Sequence, residues 1–315
     1  MKRRELFKGA AALGMLAAIP FSASGRPSES PGPVKTPGGT DGNKPPARPD
    51  PLKPPARGSI PVAFLISDGA VVIDFTGPWE VFQDTSVPGR DGDAFRLYTV
   101  AESAGPIRAS GGMKIVPDYT FANAPAPKVI VIPAQGGRSE ATLRWLRRAA
   151  KGADVTMSVC TGAFLLARAG LLSGKSATTH HTAYKTFGME FSDVALKRGV
   201  RYVDEGNVAS SGGLSSGIDL ALHVVERYFG REVATNTAYQ MEYLGQGWIK
   251  PESNAIYAVE RASTEVNPLC PVCSMEVDPK SVPKSVYKGK NYSFCSSDHK
   301  QQFDAGPEKW LTGAR

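Results

Sequence analysis

From residue 60 onward, short unbroken apolar runs alternate with longer stretches whose apolar residues recur every three or four positions. The runs are IPVAFLIS (60–67), AFRLYTV (94–100), KVIVIPA (128–134), DVTMSV (154–159), SATTH (176–180) and NVASS (207–211). Their β-branched character without polar alternation predicts strands buried on both faces. The periodic stretches, 77–84, 139–151, 161–172, 181–187 and 215–229, predict amphipathic helices. Strand and helix in alternation predict an α/β fold, with a mostly parallel central sheet between two helical layers. About 200 residues suffice for one sizeable core. Ligands of such sheets bind beyond the carboxyl ends of the strands. Asp74, the Gly136–Gly137 loop and Cys160 each follow a strand-like run, which places them at that end.

The flanks are of other material. MKRRELFKGAAALGMLAAIPFSASG opens with Arg3 and Arg4 before a modest apolar run, the pattern of a twin-arginine export signal. That run, broken by Gly14, is too short to span a bilayer, so no stable membrane anchor is expected. No cysteine follows it, which argues against a lipoprotein. Residues 26–58 are rich in proline and almost free of apolar residues, and read as an extended tether. The expected division is a signal at 1–25, a linker at 26–58, the main domain at 59–245, a connector at 246–263 and a small module at 264–315.

The formal charge of +7 suggests a nucleic-acid partner only until it is located along the chain. Leader and tether each carry +3, while residues 59–263 hold 20 basic and 20 acidic residues. A neutral main domain has no excess charge with which to neutralise phosphates, so nucleic acid is not an expected partner.

Cys160 is the residue most suggestive of chemistry. A strand-like run stops at it and a helix-patterned segment follows at once, as in a nucleophile elbow. Helix N-terminal N–H groups favour a thiolate there; the competing reading is a buried cysteine packed as a small hydrophobe. Gly136 and Gly137 allow close backbone approach, and with the Thr161 N–H could form an oxyanion nest. An ordinary turn explains the same glycines. His180 is read either as a hydrogen-bonding residue near the thiol or as a structural histidine. Asp219 and His223, one helical turn apart, could pair. Glu80 points either to the site or to solvent.

Four segments, IDFTGPWEVF (73–82), VIVIPAQGG (129–137), SVCTGAFLLARAGLLSGKSATTHH (158–181) and SSGGLSSGIDLALHVVERYFG (210–230), resemble the PfpI-type, class I glutamine amidotransferase-like superfamily. The resemblance is nearest to the branch holding isocyanide hydratase and the ligand domains of AraC-type regulators. It implies a flavodoxin-like sandwich, Cys160 as nucleophile, and Asp74 as its acid/base partner. A partly desolvated carboxyl beside a thiol should have a raised pKa and can carry a proton; an N-cap is the plainer role for Asp74. Peptidase-like members carry histidine after the cysteine; Thr161 stands there, which argues against proteolysis. No cofactor is expected in this domain, and a homodimer is expected by analogy. The helix-turn-helix pair of AraC-type regulators is not found after residue 245.

The end of the chain holds Cys270-x2-Cys273 and Cys295-x3-His299, four donors at the spacing of a zinc site. CPVCSM, YKGKNYSFCS, Phe303 and PEKW resemble a YHS domain, a small α+β metal-binding unit. Ser274 stands where glycine is usual, and His299 where many members have cysteine. Such a Cys3His set suits zinc or copper. A Cys270–Cys273 disulfide is the alternative in an oxidising compartment.

Together these features describe a periplasmic or otherwise exported cysteine enzyme of the hydratase or lyase kind, acting on a small electrophilic molecule, with an appended metal module. A glyoxalase- or deglycase-like activity, a non-catalytic ligand-binding protein and a metal-homeostasis protein are the rival readings.

Overall fold

The computed structural model describes residues 49–311, apart from 260, 279 and 281–282. The leader and most of the proline-rich segment lie outside the described residues. After β1 (Ile60–Leu65), the chain forms α1 (Val72–Asp84) and β2 (Phe95–Ala101). A two-residue hairpin of β3 (Ile107–Arg108) and β4 (Lys114–Ile115) precedes β5 (Tyr119–Thr120) and β6 (Val129–Ile132). Then come α2 (Glu140–Ala150), β7 (Val155–Ser158), α3 (Gly162–Arg168), β8 (Ser176–Ala177), α4 (Tyr184–Glu190) and β9 (Ala195–Leu196). β10 (Tyr202–Asp204), β11 (Val208–Ser211), α5 (Ser216–Phe229) and α6 (Arg231–Gln240) complete the main domain's labelled elements.

Seven strands form one sheet in the order β10-β11-β7-β6-β1-β2-β5. All neighbours run parallel except β10 and β11. Alternate residues of β1 feed two separate cores. Ile60, Val62 and Phe64 pack with Phe75, Phe82 and Leu220 of α1 and α5. Ala63 and Leu65 pack with Leu146, Leu166 and Phe187 of α2, α3 and α4. That two-sided burial is why the strands read as unbroken apolar runs.

α1 begins at Val72, earlier than the pattern 77–84 predicts, because its start is capped from a distance: Ser110 Oγ accepts the Val72 N–H at 3.0 Å. Asp74 therefore lies inside the first helical turn rather than capping it, and Thr76 Oγ1 donates back to the Val72 carbonyl. α6 is not foreseen by periodicity. Its local propensity is weak, with two threonines and an asparagine, and burial of Val233, Ala234 and Ala238 makes it a helix. Residues 246–257 pack on the main domain, with Trp248 and Asn254 buried. At the amino end, Leu52 N–H donates to the Arg227 carbonyl at 2.8 Å, and the Arg227 guanidinium donates to the Asp50 carbonyl.

The last segment forms a hairpin, β12 (Lys284–Tyr287) and β13 (Lys290–Ser293), followed by α7 (Ser297–Asp304) and α8 (Pro307–Leu311). It has its own small core of Val272, Val277, Phe294, Phe303 and Trp310, against which Met189 of α4 packs. The Lys185 ammonium donates to the Trp310 carbonyl and Thr186 Oγ1 to the Val272 carbonyl, at 3.0 Å for the second.

Candidate functional site: a thiol elbow and a Cys3His cluster

Cys160 sits where β7 ends, with φ of 59°, in the left-handed region that non-glycine residues rarely occupy. Its N–H donates to the Gly212 carbonyl at 2.9 Å, and its carbonyl accepts from Thr179 Oγ1 at 3.0 Å. The helix that follows must pass very close to β6. A Cβ at Gly162 would lie 2.2 Å from the Ile132 oxygen, so only glycine permits the turn. Strained residues of this kind persist where the surroundings over-determine them, and they concentrate at working sites.

The Asp74 carboxyl, fully buried, faces this thiol closely enough for each group to shift the other's titration. Its Oδ2 accepts the Ala134 N–H at 3.1 Å, while Oδ1 is buried without a hydrogen-bond partner. Burial raises the Asp74 pKa from 3.8 to about 6, against the lowering effect of the Ala134 N–H. The thiolate expected from the helix terminus does not appear at rest. Burial, reinforced by the Asp74 charge, pushes the Cys160 thiol up to about 12, although Thr161 and Leu214 N–H groups pull the other way. α3 has only seven residues, too little dipole to reverse that balance. Near neutrality the proton thus rests on sulfur with a carboxylate beside it.

Gly136 and Gly137 do not supply the oxyanion nest. The Gly136 N–H donates to the Asp68 carbonyl and the Gly137 N–H to Ser67 Oγ, each at 2.9 Å. The Thr161 N–H lies on the sulfur's side, where it favours the thiolate. The second donor is Leu214, which sequence reasoning missed. Leu214 also has a left-handed backbone, φ 51°, and its N–H lies near Cys160 and Asp74, where it favours the charged form of each. The signal was present in the glycine-serine run 210–217, which follows a strand as Cys160 does.

His180 packs its ring on that run: a Cβ at Gly213 would lie 2.1 Å from its Cδ2. Its Nδ1 accepts the Thr182 N–H, which places the ring proton on Nε2, and burial lowers its pKa to about 4. It is a neutral buttress of the Leu214 loop. Glu80 is exposed and accepts from Gln83. Asp219 and His223 do not pair: Asp219 meets Arg201 at 2.5 Å, and His223 meets Asp204 at 2.9 Å.

In the last segment, Cys270, Cys273, Cys295 and His299 converge, their donor atoms all within 4.8 Å of one another. All three cysteines are free. The Cys273 and Cys295 sulfurs are 3.5 Å apart, well beyond a disulfide bond, and Cys295 Sγ lies 3.0 Å from His299 Nδ1. The Cys270 thiol is drawn well down by Cys273 beside it, aided by the N–H groups of Cys295, Cys273 and Val272. Ser296 caps α7 by accepting the His299 N–H, which fixes Cys295 and His299 on one helix start. Ser274 has φ 58°, which explains why glycine is usual at that position. Three sulfurs and an imidazole converging without a disulfide fit a bound metal ion.

A mostly parallel α/β sheet with a strained cysteine at a strand–helix elbow, followed by a small module of clustered soft donors, defines a two-module chain of thiol and metal-site-like chemistry. Residues 61–227 match the DJ-1/PfpI family and residues 270–314 the YHS domain. The chain belongs to the DJ-1/PfpI family and carries a YHS domain behind it. It is 33% identical over 193 residues to an isonitrile hydratase of Pseudomonas putida, covering 59% of this chain and 79% of that protein. It is 28% identical over 188 residues to the HTH-type transcriptional regulator GbdR of Pseudomonas aeruginosa, covering 58% of this chain and 50% of the regulator. The chain therefore spans about half the length of that relative. A solved THiJ/PfpI family protein from Pseudomonas syringae superposes with a TM-score of 0.52 at 27% identity, over 64% of this chain and 84% of that one.

Proposed function

We propose that the main domain is a thiol-dependent hydratase of small isonitriles, exported with its metal module attached. The observation that carries this reading is the buried Asp74 carboxyl, with one oxygen lacking any hydrogen-bond partner, set against the Cys160 thiol. Similarity to an isonitrile hydratase supports it. Arg3 and Arg4 support export, and the leader they belong to lies outside the described residues.

In this reading the sulfur attacks the terminal carbon of the isonitrile as the Asp74 carboxylate takes the thiol proton. Asp74 then delivers that proton to the same carbon, leaving a thioimidate on Cys160. Water adds across the carbon–nitrogen double bond, hydroxyl to carbon and proton to nitrogen. Collapse breaks the carbon–sulfur bond, returns a proton to sulfur and releases an N-substituted formamide. The Thr161 and Leu214 N–H groups hold the charge that develops on sulfur. A carboxyl with a pKa near 6 can both take and give a proton near neutrality.

Cys270, Cys273, Cys295 and His299 would hold the metal ion, zinc or copper. When bound, the ion supplies a cross-link that a module with so small a core otherwise lacks.

The test is formamide release from a panel of small alkyl and aryl isonitriles. Turnover lost on Cys160→Ala and on Asp74→Asn, with both variants folded, supports the reading. Saturable binding of the panel without product would make the domain a ligand-binding one instead.

A further inference from the structure

We infer that Arg201 is a positioning residue for the thiol site, holding the Gly212–Ser215 loop, and Leu214 within it, against Cys160. The inference rests on the reading of Cys160 as the working thiol. Arg201 grips the loop by two independent routes. Through the backbone, its carbonyl accepts the Gly212 N–H at 2.9 Å, and the Gly212 carbonyl in turn accepts the Cys160 N–H at 2.9 Å. Through the side chain, Nη2 donates to Ser215 Oγ at 3.1 Å, one residue beyond Leu214.

The guanidinium is itself held rigid. Nε donates to Asp219 Oδ2 and Nη1 to Asn254 Oδ1 at 3.3 Å, and the Asp219 side chain is only 1% exposed. Tyr243 OH donates to the other Asp219 oxygen at 3.1 Å. A planar fork with several fixed donors can serve a carboxylate and a hydroxyl together, which a lysine ammonium does far less well. Leu214 needs such restraint because a left-handed leucine backbone is intrinsically unfavourable. If the loop relaxes, Leu214 and the Gly212 carbonyl that accepts the Cys160 N–H shift away from the thiol. His180, packed on Gly213, blocks relaxation from the other side. Arg201 touches neither reacting group and acts only through the loop.

The experiment is the rate of Cys160 alkylation by iodoacetamide between about pH 5 and pH 10, read on the Cys160 peptide by mass spectrometry. It is run on the full chain and on Ser215→Ala, Ser215→Thr and Arg201→Lys, with the melting temperature of each. Ser215→Ala and Arg201→Lys are expected to alkylate about three- to tenfold more slowly at each pH above neutrality. Ser215→Thr, which keeps the hydroxyl, should retain the parent profile. A parent chain whose Cys160 resists alkylation throughout overturns the thiol reading and this inference with it. A reactive parent whose profile is unmoved in Ser215→Ala and Arg201→Lys, even if they melt earlier, overturns this inference alone.

Discussion

The Val272 carbonyl, midway between two of the four clustered donors, accepts a hydrogen bond at 3.0 Å from the Thr186 hydroxyl of the main domain. Thr186 lies on α4, which starts just after the His181–Ala183 turn that follows His180. The metal module is thus fastened to the element that follows the thiol site's buttress.

Chelation should therefore be felt beyond the module. In zinc-loaded protein, stripping the metal is expected to raise amide exchange across residues 268–311 and also in α4, with β1, β6 and β7 unchanged. Hydrogen exchange read by mass spectrometry checks this. A response confined to the module would show that the Thr186 and Lys185 contacts transmit nothing.

Ser274→Gly should tighten the module. Serine held at φ 58° costs about 1 kcal/mol relative to glycine. If metal binding and folding of the module are linked, the variant should bind zinc about fivefold more tightly in a competition titration. Equal or weaker affinity would locate the strain elsewhere.

Asp74→Asn should trade activity for stability. The folded-state pKa of Asp74, about 6, lies above its ordinary 3.8, so the protonated form is the one folding favours. The associated stability is fully present below about pH 3.8 and lost as pH rises through about 6. Relative to the parent, the asparagine variant should gain roughly 2–3 kcal/mol at pH 8 and little near pH 3.5. Denaturant unfolding at the two values checks the difference, and isonitrile turnover should fall at least about a hundredfold.

The pH profile of turnover should show one rise through about pH 6, as Asp74 becomes the carboxylate that accepts the thiol proton. His180 should add no inflection above pH 5, since burial and His181 hold it neutral there. Measuring kcat/KM reports these groups in the free enzyme. A profile flat from pH 5 to 8 would remove Asp74 from the proton path.

The parts of this architecture that were legible in sequence are those set by local pattern. Strands buried on two faces leave unbroken apolar runs, the Cys160 elbow announces itself as strand then cysteine then helix, and the four soft donors stand at metal-site spacing. What was not legible depends on partners distant in the chain. The start of α1 is set by Ser110, the N–H groups of Gly136 and Gly137 are taken by Asp68 and Ser67, and Asp219 turns to Arg201 rather than to His223. The resting thiol belongs to the same class, since desolvation is a property of the packed fold and no spacing encodes it.

The clasp between Arg227 and residues 50–52 fixes where anything upstream joins the fold. Arg227 is in the last turn of α5, whose first turn follows directly on the Leu214 loop. The rise of eleven residue steps from Ser216 to Arg227 sets the two about 16 Å apart. A leader, a purification tag or a surface tether attached ahead of Asp50 is therefore moored a helix length from the thiol. Immobilisation by the amino end thus takes hold at the far end of α5 from Leu214.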